Sequence, residues 1–170
     1  MLRSLVGSEM CIRDRFNAAV ALGVPAAEIT QYADTVSLCL SKGLSAPVGA
    51  VLAGSKAVMS RARTLRRMLG GTQRQSGIMA AAGLEGVQSM TERLVEDHAR
   101  ARRLSDGING LAPALSATVP QTNIVQVETA GTGMTNAEWV AALQAQGLLT
   151  RPWGRVSSCL LYTSPSPRDS

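Results

Sequence analysis

The feature that most constrains this chain is an alternating segment that ends in a lysine. Between residues 35 and 41 the side chains alternate in polarity, with apolar positions at Val36, Leu38 and Leu40. This period-two pattern predicts a strand with one buried face. Lys42 follows the strand and precedes a loop interrupted by Pro47. Desolvation at the end of a buried strand favours the uncharged amine, the form that bonds to an aldehyde cofactor. The alternative is a surface lysine whose amine extends into water.

The segment around Lys42 is one of several segments that resemble the same protein family. SLCLSKGLSAPVG, at Ser37–Gly49, resembles the cofactor-lysine segment of the L-threonine aldolases, in the beta-eliminating lyase/threonine aldolase family. Further segments resemble other parts of that family and follow its order: Phe16–Pro25, Arg66–Gly83, Arg93–Arg102 and Thr122–Val125. The similarity extends over residues 16 to 155.

The resemblance implies a fold, a cofactor and a reaction. The fold is α/β: a fragment of a fold-type I, aspartate-aminotransferase-like enzyme, with its cofactor domain on a mostly parallel sheet. The cofactor is pyridoxal 5'-phosphate, held as a covalent Schiff base on Lys42, which is then both cofactor-binding and catalytic. The reaction is retro-aldol cleavage of L-threonine or L-allo-threonine to glycine and an aldehyde. The implied enzyme is a cytoplasmic homodimer or homotetramer.

Two arginines resemble active-site positions of the family. Arg74, in the run Gln73–Gln75, matches an arginine that serves the substrate carboxylate or the cofactor phosphate, with a salt bridge between subunits as the alternative. Arg67 stands where the family often has a lysine at the rim of the site. An arginine keeps the charge of that lysine but not its compact ammonium group.

The two ends of the chain resemble translated sequencing-adapter DNA. Leu5–Asp14 can be encoded by DNA whose reverse complement, read in another frame, encodes Cys159–Arg168. The coding sequences of two protein termini have no physical reason to be complementary, so neither terminus is used to predict the fold. The predicted organisation is an adapter at 1–15, the C-terminal part of the cofactor-binding large domain at 16–90, a partial small domain at 91–157, and an adapter at 158–170.

This organisation predicts that the chain as written is inactive. The family has an Asp-Gly-Ala-Arg run just before the segment that begins at Phe16, which places its aspartate at position 11 and its arginine at position 14. Cys11 and Asp14 occupy those positions here. The aspartate keeps the cofactor ring protonated and the arginine binds the substrate carboxylate, so we expect their loss to abolish cleavage.

Composition and charge argue against nucleic-acid binding, a disulfide or metal framework and a membrane span. The formal net charge is +5, and a basic amphipathic helix is predicted at 56–69, from the N-cap Ser55 to the glycines at 70 and 71. No aromatic residue interrupts its charges, so base stacking on nucleic acid has little to use. Outside the adapter-like ends Cys39 is the sole cysteine, which excludes a disulfide framework or metal cluster there and fits the cytosol. No apolar run reaches the roughly 18 residues of a membrane span.

The remaining patterns predict further elements. The region 75–111 is helical, with a predicted break near 89–91 and Thr91 capping a second helix. A strand is predicted at 122–128. Thr135 and Glu138 form a capping box that opens a helix to about residue 146.

Two other functions stay open from the residues alone. The chain could derive from another pyridoxal-phosphate-dependent beta-eliminating lyase, which acetaldehyde or phenol as the product would distinguish. It could also be a non-catalytic basic helical binding domain, which a cofactor reduced onto Lys42 would exclude.

Overall fold

The computed structural model describes residues 15–111, 113–152 and 158–162, and it describes 151–152 and 158–162 by their backbone alone. The chain divides into two compact units, Met1–Leu94 and Val95–Ser170. Within the described ranges, no helix combines the length and the apolar character needed to cross a bilayer.

The first unit is mixed α/β. Its described elements are α1 (Arg15–Leu22), α2 (Ala26–Thr30), β1 (Thr35–Cys39), β2 (Ala50–Gly54), α3 (Lys56–Met68) and the N-terminal part of α4 (Ser76–Leu111). The strand predicted at 35–41 and the helix predicted at 56–69 are both confirmed, each within two residues.

The two strands of this unit form an antiparallel pair. Thr35 lies opposite Gly54, and Cys39 lies opposite Ala50. The resemblance implies a mostly parallel sheet, and such sheets commonly carry an antiparallel strand at an edge. Every residue of β2 is exposed, whereas β1 alternates between exposed and half-buried positions before reaching two consecutive half-buried residues. The β2 side of the pair is therefore open.

Helix α3 has the two end signals that its sequence predicts. The Ser55 hydroxyl accepts a hydrogen bond from the Val58 N–H at 3.4 Å, which satisfies one free donor of the first turn. At the other end Gly70 adopts a φ of 75°, and the N–H groups of Gly70 and Gly71 donate to carbonyls of the last turn at 3.1 and 2.7 Å. This closes the helix with a left-handed residue. No residue of α3 is buried.

Helix α4 is continuous over 36 residues, so the predicted break near 89–91 is wrong. The hydroxyls of Ser89 and Thr91 donate instead to the carbonyls of Glu85 and Val87, one turn earlier, at 2.7 and 3.3 Å. A serine or threonine whose hydroxyl bonds back to the preceding turn is compatible with a helix interior. Thr91 is therefore not an N-cap.

The second unit packs an antiparallel sheet against the C-terminal part of α4. Its other described elements are β3 (Ser116–Ala117), β4 (Ile124–Glu128), α5 (Asn136–Ala145), β5 (Arg151–Pro152) and β6 (Ser158–Tyr162), with the strand order β3-β4-β6-β5. A single 3₁₀ turn at Ala130–Thr132 precedes α5. The buried core consists of Ala101, Ala117, Val125 and Val127. The strand predicted at 122–128 is confirmed as β4.

The capping box at the start of α5 is present in full. The Thr135 hydroxyl accepts from the Glu138 N–H at 3.3 Å, and the Glu138 carboxylate accepts from the Thr135 N–H at 2.7 Å. These bonds satisfy two donors that the helix start otherwise leaves free.

Strand β6 lies in a segment that the sequence attributes to adapter DNA. It pairs with β4 from Ile124 opposite Tyr162 to Glu128 opposite Ser158. Such pairing requires only an open strand edge and residues that tolerate extended backbone, such as leucine and tyrosine. The adapter origin of this segment stays a prediction. The adapter-like residues 1–14 and 163–170 lie outside the described residues.

Candidate active site

A tightly hydrogen-bonded loop connects β1 to β2 and has Lys42 at its start. The Ser45 N–H donates to the Lys42 carbonyl at 2.8 Å, which closes a turn. The Ala46 N–H donates to the Leu40 carbonyl at 3.0 Å, and the Leu40 N–H donates to the Gly49 carbonyl at 3.0 Å. The backbone on both sides of Lys42 is therefore fixed by the loop itself.

Two leucines anchor this loop in the core of the first unit. Leu40 is 6% exposed and Leu44 is 3% exposed, and they lie two residues before and two residues after Lys42. They form a buried cluster with Ala46, against which partly buried side chains of α1, β1 and α4 pack: Phe16, Leu38, Val87 and Met90. The position of Lys42 thus depends on how the loop seats on α4.

The side chain of Lys42 itself is exposed. The prediction that its surroundings exclude water is wrong for this chain. Strand β1 ends at Cys39, so the alternation that buries Leu38 does not continue to Lys42. The turn that begins at Lys42 leaves this residue exposed. The amine is accessible to a ligand from solution.

Helix α4 approaches the Lys42 loop at two glycines. A Cβ placed on Gly83 would lie 2.7 Å from the Leu40 Cδ1. A Cβ placed on Gly86 would overlap the backbone carbonyl oxygen of Leu44. Real Cβ atoms do not approach other atoms so closely, so position 86, which faces a backbone oxygen, requires glycine in this conformation, and a Cβ at position 83 would force the end of the Leu40 side chain to shift. Motif reasoning missed this contact, although the Gly-x-x-Gly spacing places both glycines on one helix face.

The loop also contains residues in the left-handed backbone region. Ser45 has a φ of 55° and Gly49 a φ of 125°. Left-handed backbone is uncommon for a residue other than glycine, asparagine or aspartate. At Ser45 it is held by the N–H that donates to the Lys42 carbonyl.

The two predicted arginines lie outside this loop. Arg67 is in the last turn of α3, and Arg74 is in the turn between α3 and α4. Both are exposed. Between them, Gly70 and Gly71 use their N–H groups to close α3, so these donors are not available to an anion.

A family model described as beta-eliminating lyase matches residues 15–131, a range that includes Lys42, Arg67 and Arg74. The chain belongs to the beta-eliminating lyase family. The match covers the whole first unit from α1 onward and continues through β4.

Curated relatives and a solved structure agree with this membership. The chain is 42% identical over 114 residues to low-specificity L-threonine aldolase 1 of Arabidopsis thaliana, covering 67% of this chain and 30% of that protein. It is 48% identical over 91 residues to the low specificity L-threonine aldolase of Escherichia coli K12, covering 54% of this chain and 27% of that protein. This beta-eliminating lyase family member therefore spans less than a third of the length of these relatives.

The fold is shared with a crystal structure described as a putative L-allo-threonine aldolase from Listeria monocytogenes. The two superpose with a TM-score of 0.69 at 17% identity, over 87% of this chain and 43% of that one. At that identity the likeness establishes the fold alone. The fold is thus the aspartate-aminotransferase-like α/β fold that the sequence resemblance implies, present here as a part.

Proposed function

We propose that this chain carries the cofactor lysine of a pyridoxal-phosphate-dependent L-threonine aldolase, and that Lys42 is that lysine. The observation that supports the proposal is the combination of a fixed backbone and an accessible amine. The backbone around Lys42 is fixed by the turn to Ser45 and by the buried side chains of Leu40 and Leu44, while the Lys42 side chain is exposed. A nucleophile on a fixed backbone loses less conformational entropy when it reacts, and its exposed side chain can still contact a ligand.

The residues present fit a covalently held aldehyde cofactor. Lys42 would hold pyridoxal 5'-phosphate covalently through its side-chain amine, the group that bonds to an aldehyde. When bound, this cofactor withdraws electrons from the substrate α-carbon and so weakens the bond to be broken. The chain has one other lysine, Lys56. Lys56 is the first residue of helix α3, in which no residue is buried.

The proposed reaction is cleavage of a β-hydroxy-α-amino acid such as L-threonine or L-allo-threonine. The Cα–Cβ bond breaks, the hydroxyl oxygen becomes the aldehyde carbonyl as its proton leaves, and the α-carbon takes up a proton to give glycine. The substrate class is supported by relatives named low-specificity L-threonine aldolases. Because this chain spans under a third of their length, the activity is proposed for a protein that contains it.

Arg74 and Arg67 are proposed to line the rim of the site. Both are exposed cations without a described side-chain partner, so both guanidinium groups are available. A guanidinium binds carboxylate or phosphate oxygens through two parallel N–H groups. We propose Arg74 for the substrate carboxylate or the cofactor phosphate, and Arg67 for a supporting charge.

The proposed enzyme is a cytoplasmic homodimer or homotetramer. Support for assembly comes from α3, which buries no residue, and from the exposed leucines Leu65 in its last turn and Leu69 directly after it, which are 42% and 84% exposed. Cysteine usage supports a reducing compartment. We retain the predicted organisation, a large-domain part at 16–90 and a small-domain part at 91–157 between adapter-derived ends. The chain as written is then inactive, since Cys11 and Asp14, which lie outside the described residues, replace the expected aspartate and arginine.

Adduct mapping tests the role of Lys42. The 170-residue chain is incubated with pyridoxal 5'-phosphate, the C=N bond is reduced with borohydride to a stable amine, and the peptides are mapped by mass spectrometry. We expect the adduct on the peptide that contains Lys42, its loss in Lys42→Arg, and its retention in the matched control Lys56→Arg. An adduct confined to Lys56, or no adduct, would falsify the assignment.

A further inference from the structure

We infer that Gly83 and Gly86 form a notch in α4 that positions the Lys42 loop, and that this notch sets how readily Lys42 bonds to an aldehyde. The inference rests on the proposed function for its chemical consequence. Its geometric part, the seating of the loop in the notch, stands without a cofactor. Gly83 and Gly86 are positioning residues, because the groups that they contact are in the loop and not in the substrate.

Gly86 is the stricter of the two positions. The atom that an added Cβ would overlap is the Leu44 carbonyl oxygen, which belongs to the backbone and cannot rotate away. Leu44 is 3% exposed, so the loop cannot shift inward to make room. The loop would have to lift away from α4, and Lys42, two residues earlier, would move with it. The Ser45–Lys42 hydrogen bond lies in the part that lifts.

Gly83 makes the same kind of contact with a softer partner. Its added Cβ would meet the Leu40 Cδ1 at 2.7 Å, the end of a side chain that can be shortened by substitution. Leu40 also carries two of the loop's backbone hydrogen bonds, to Ala46 and to Gly49. A methyl group at position 83 is therefore expected to disturb the other side of the loop.

Other glycines of α4 show that the notch is local. Gly77, Gly107 and Gly110 meet no atom within 4 Å of an added Cβ. Glycine is one of the poorest residues for a helix interior, so alanine at those positions is expected to stabilise the helix. At Gly83 and Gly86 the cost of glycine is offset by the close contact of helix and loop. Gly77 is thus a matched control within the same helix and the same unit.

The first measurement uses no cofactor. Amide hydrogen exchange of Ser45 and Ala46 is compared in the 170-residue chain, Gly86→Ala and Gly77→Ala. Overpacking a closed contact lowers the local stability that protects amides. We expect Gly86→Ala to exchange at least about tenfold faster at both amides, and Gly77→Ala to leave them unchanged. Unchanged protection in Gly86→Ala would overturn the notch.

The second measurement reads the bond to the cofactor. Added pyridoxal 5'-phosphate is titrated into each variant, and the absorption band of the lysine C=N bond gives an apparent dissociation constant and a pH midpoint. We expect Gly86→Ala to weaken formation by about tenfold and to shift the midpoint, and Gly77→Ala to match the parent. If exchange changes while the band and its midpoint do not, the link between the notch and Lys42 is wrong. If the parent chain forms no band, the proposed function fails, and the exchange result still decides the geometry.

A rescue variant covers the case in which Gly86→Ala does not fold. Gly83→Ala is compared with the double variant Gly83→Ala/Leu40→Val and with Leu40→Val alone. Because the clash is with the end of the Leu40 side chain, we expect the double variant to recover both amide protection and the absorption band relative to Gly83→Ala. Additive losses, with no recovery, would overturn the contact.

Discussion

At the scale of single residues, the sequence predicts the strand before Lys42 but not the exposure of the Lys42 side chain. The alternation before Lys42 locates a strand, and β1 confirms it. The exposure of Lys42 could not be predicted, because it depends on the residue at which the strand ends. A one-dimensional pattern reports the period of burial but not the packing partner. The local pattern left two alternatives for Lys42, and the family resemblance supports the proposal that it is the cofactor lysine.

Among the described residues, Glu138 has hydrogen bonds that lower the pKa of its carboxyl group. The Thr135 N–H, and then the Thr135 hydroxyl, donate to its carboxylate and hold the pKa of Glu138 below its usual value. A glutamate in an unfolded chain has a pKa of about 4.3. A lowered pKa in the folded state means that the capping contribution is present above that value and is lost as the pH falls through the lower folded pKa.

We therefore expect the Thr135 amide, followed by NMR, to titrate with a midpoint below that of an ordinary glutamate. Glu138→Gln is expected to abolish this titration while keeping the capping geometry, since glutamine also serves in a capping box. The matched control is Glu92→Gln, at an exposed position of α4, which should leave the Thr135 titration unchanged. A midpoint at or above about 4.3 would contradict the capping contribution.

At the scale of elements, local signals predict ends better than continuity. Ser55 and Gly70 bound α3 because caps and left-handed stops act within a few residues. The break predicted in α4 fails for the opposite reason. Ser89 and Thr91 can either cap a new helix or bond back to the previous turn, and nearby sequence does not decide between these states. The spacing of the two glycines in the notch is visible in the sequence. The sequence does not show which loop these glycines contact.

Asn109 of α4 carries an element-scale prediction in the second unit. Its amide group pairs with the edge strand β3, accepting from the Ala117 N–H at 2.7 Å and donating to the Ala117 carbonyl at 3.0 Å. The side chain thus takes the place of a neighbouring strand. Ala117 is 8% exposed, so removal of these bonds leaves two backbone groups with restricted access to water.

We expect Asn109→Ala to lower the free energy of unfolding by about 1–2 kcal/mol and to speed exchange of the Ala117 amide. Ser89→Ala serves as the control, because it removes a single exposed hydroxyl bond from the same helix and should change stability by less than about 0.5 kcal/mol. Equal losses in the two variants, by urea denaturation, would show that Asn109 does not support the strand edge.

At the scale of the whole molecule, the partial length of the chain is considered together with its exposed apolar side chains. The chain spans under a third of the length of its named relatives, and the described part leaves many large apolar side chains exposed. On β2, on α3 and at the residue that follows α3, these are Val51, Leu52, Val58, Leu65, Met68 and Leu69. Scattered apolar residues are normal on a surface, but two consecutive elements without a buried face indicate an interaction surface. Neither β2 nor α3 has a residue classed as buried.

We expect the 170-residue chain to self-associate through this surface. Sedimentation velocity should show an average mass that rises with protein concentration, because burial of apolar area contributes roughly 25 cal/mol per Å². The double variant Leu65→Gln/Leu69→Gln, in the last turn of α3 and at the residue that follows it, should lower that association. Leu22→Gln is the matched control, since Leu22 is 67% exposed at the end of α1 and lies on neither element. A parent chain that stays monomeric at every concentration would exclude α3 as an association surface. Equal effects of the double variant and Leu22→Gln would indicate non-specific aggregation, and only a selective effect of the α3 variant supports an enzyme assembled through this helix.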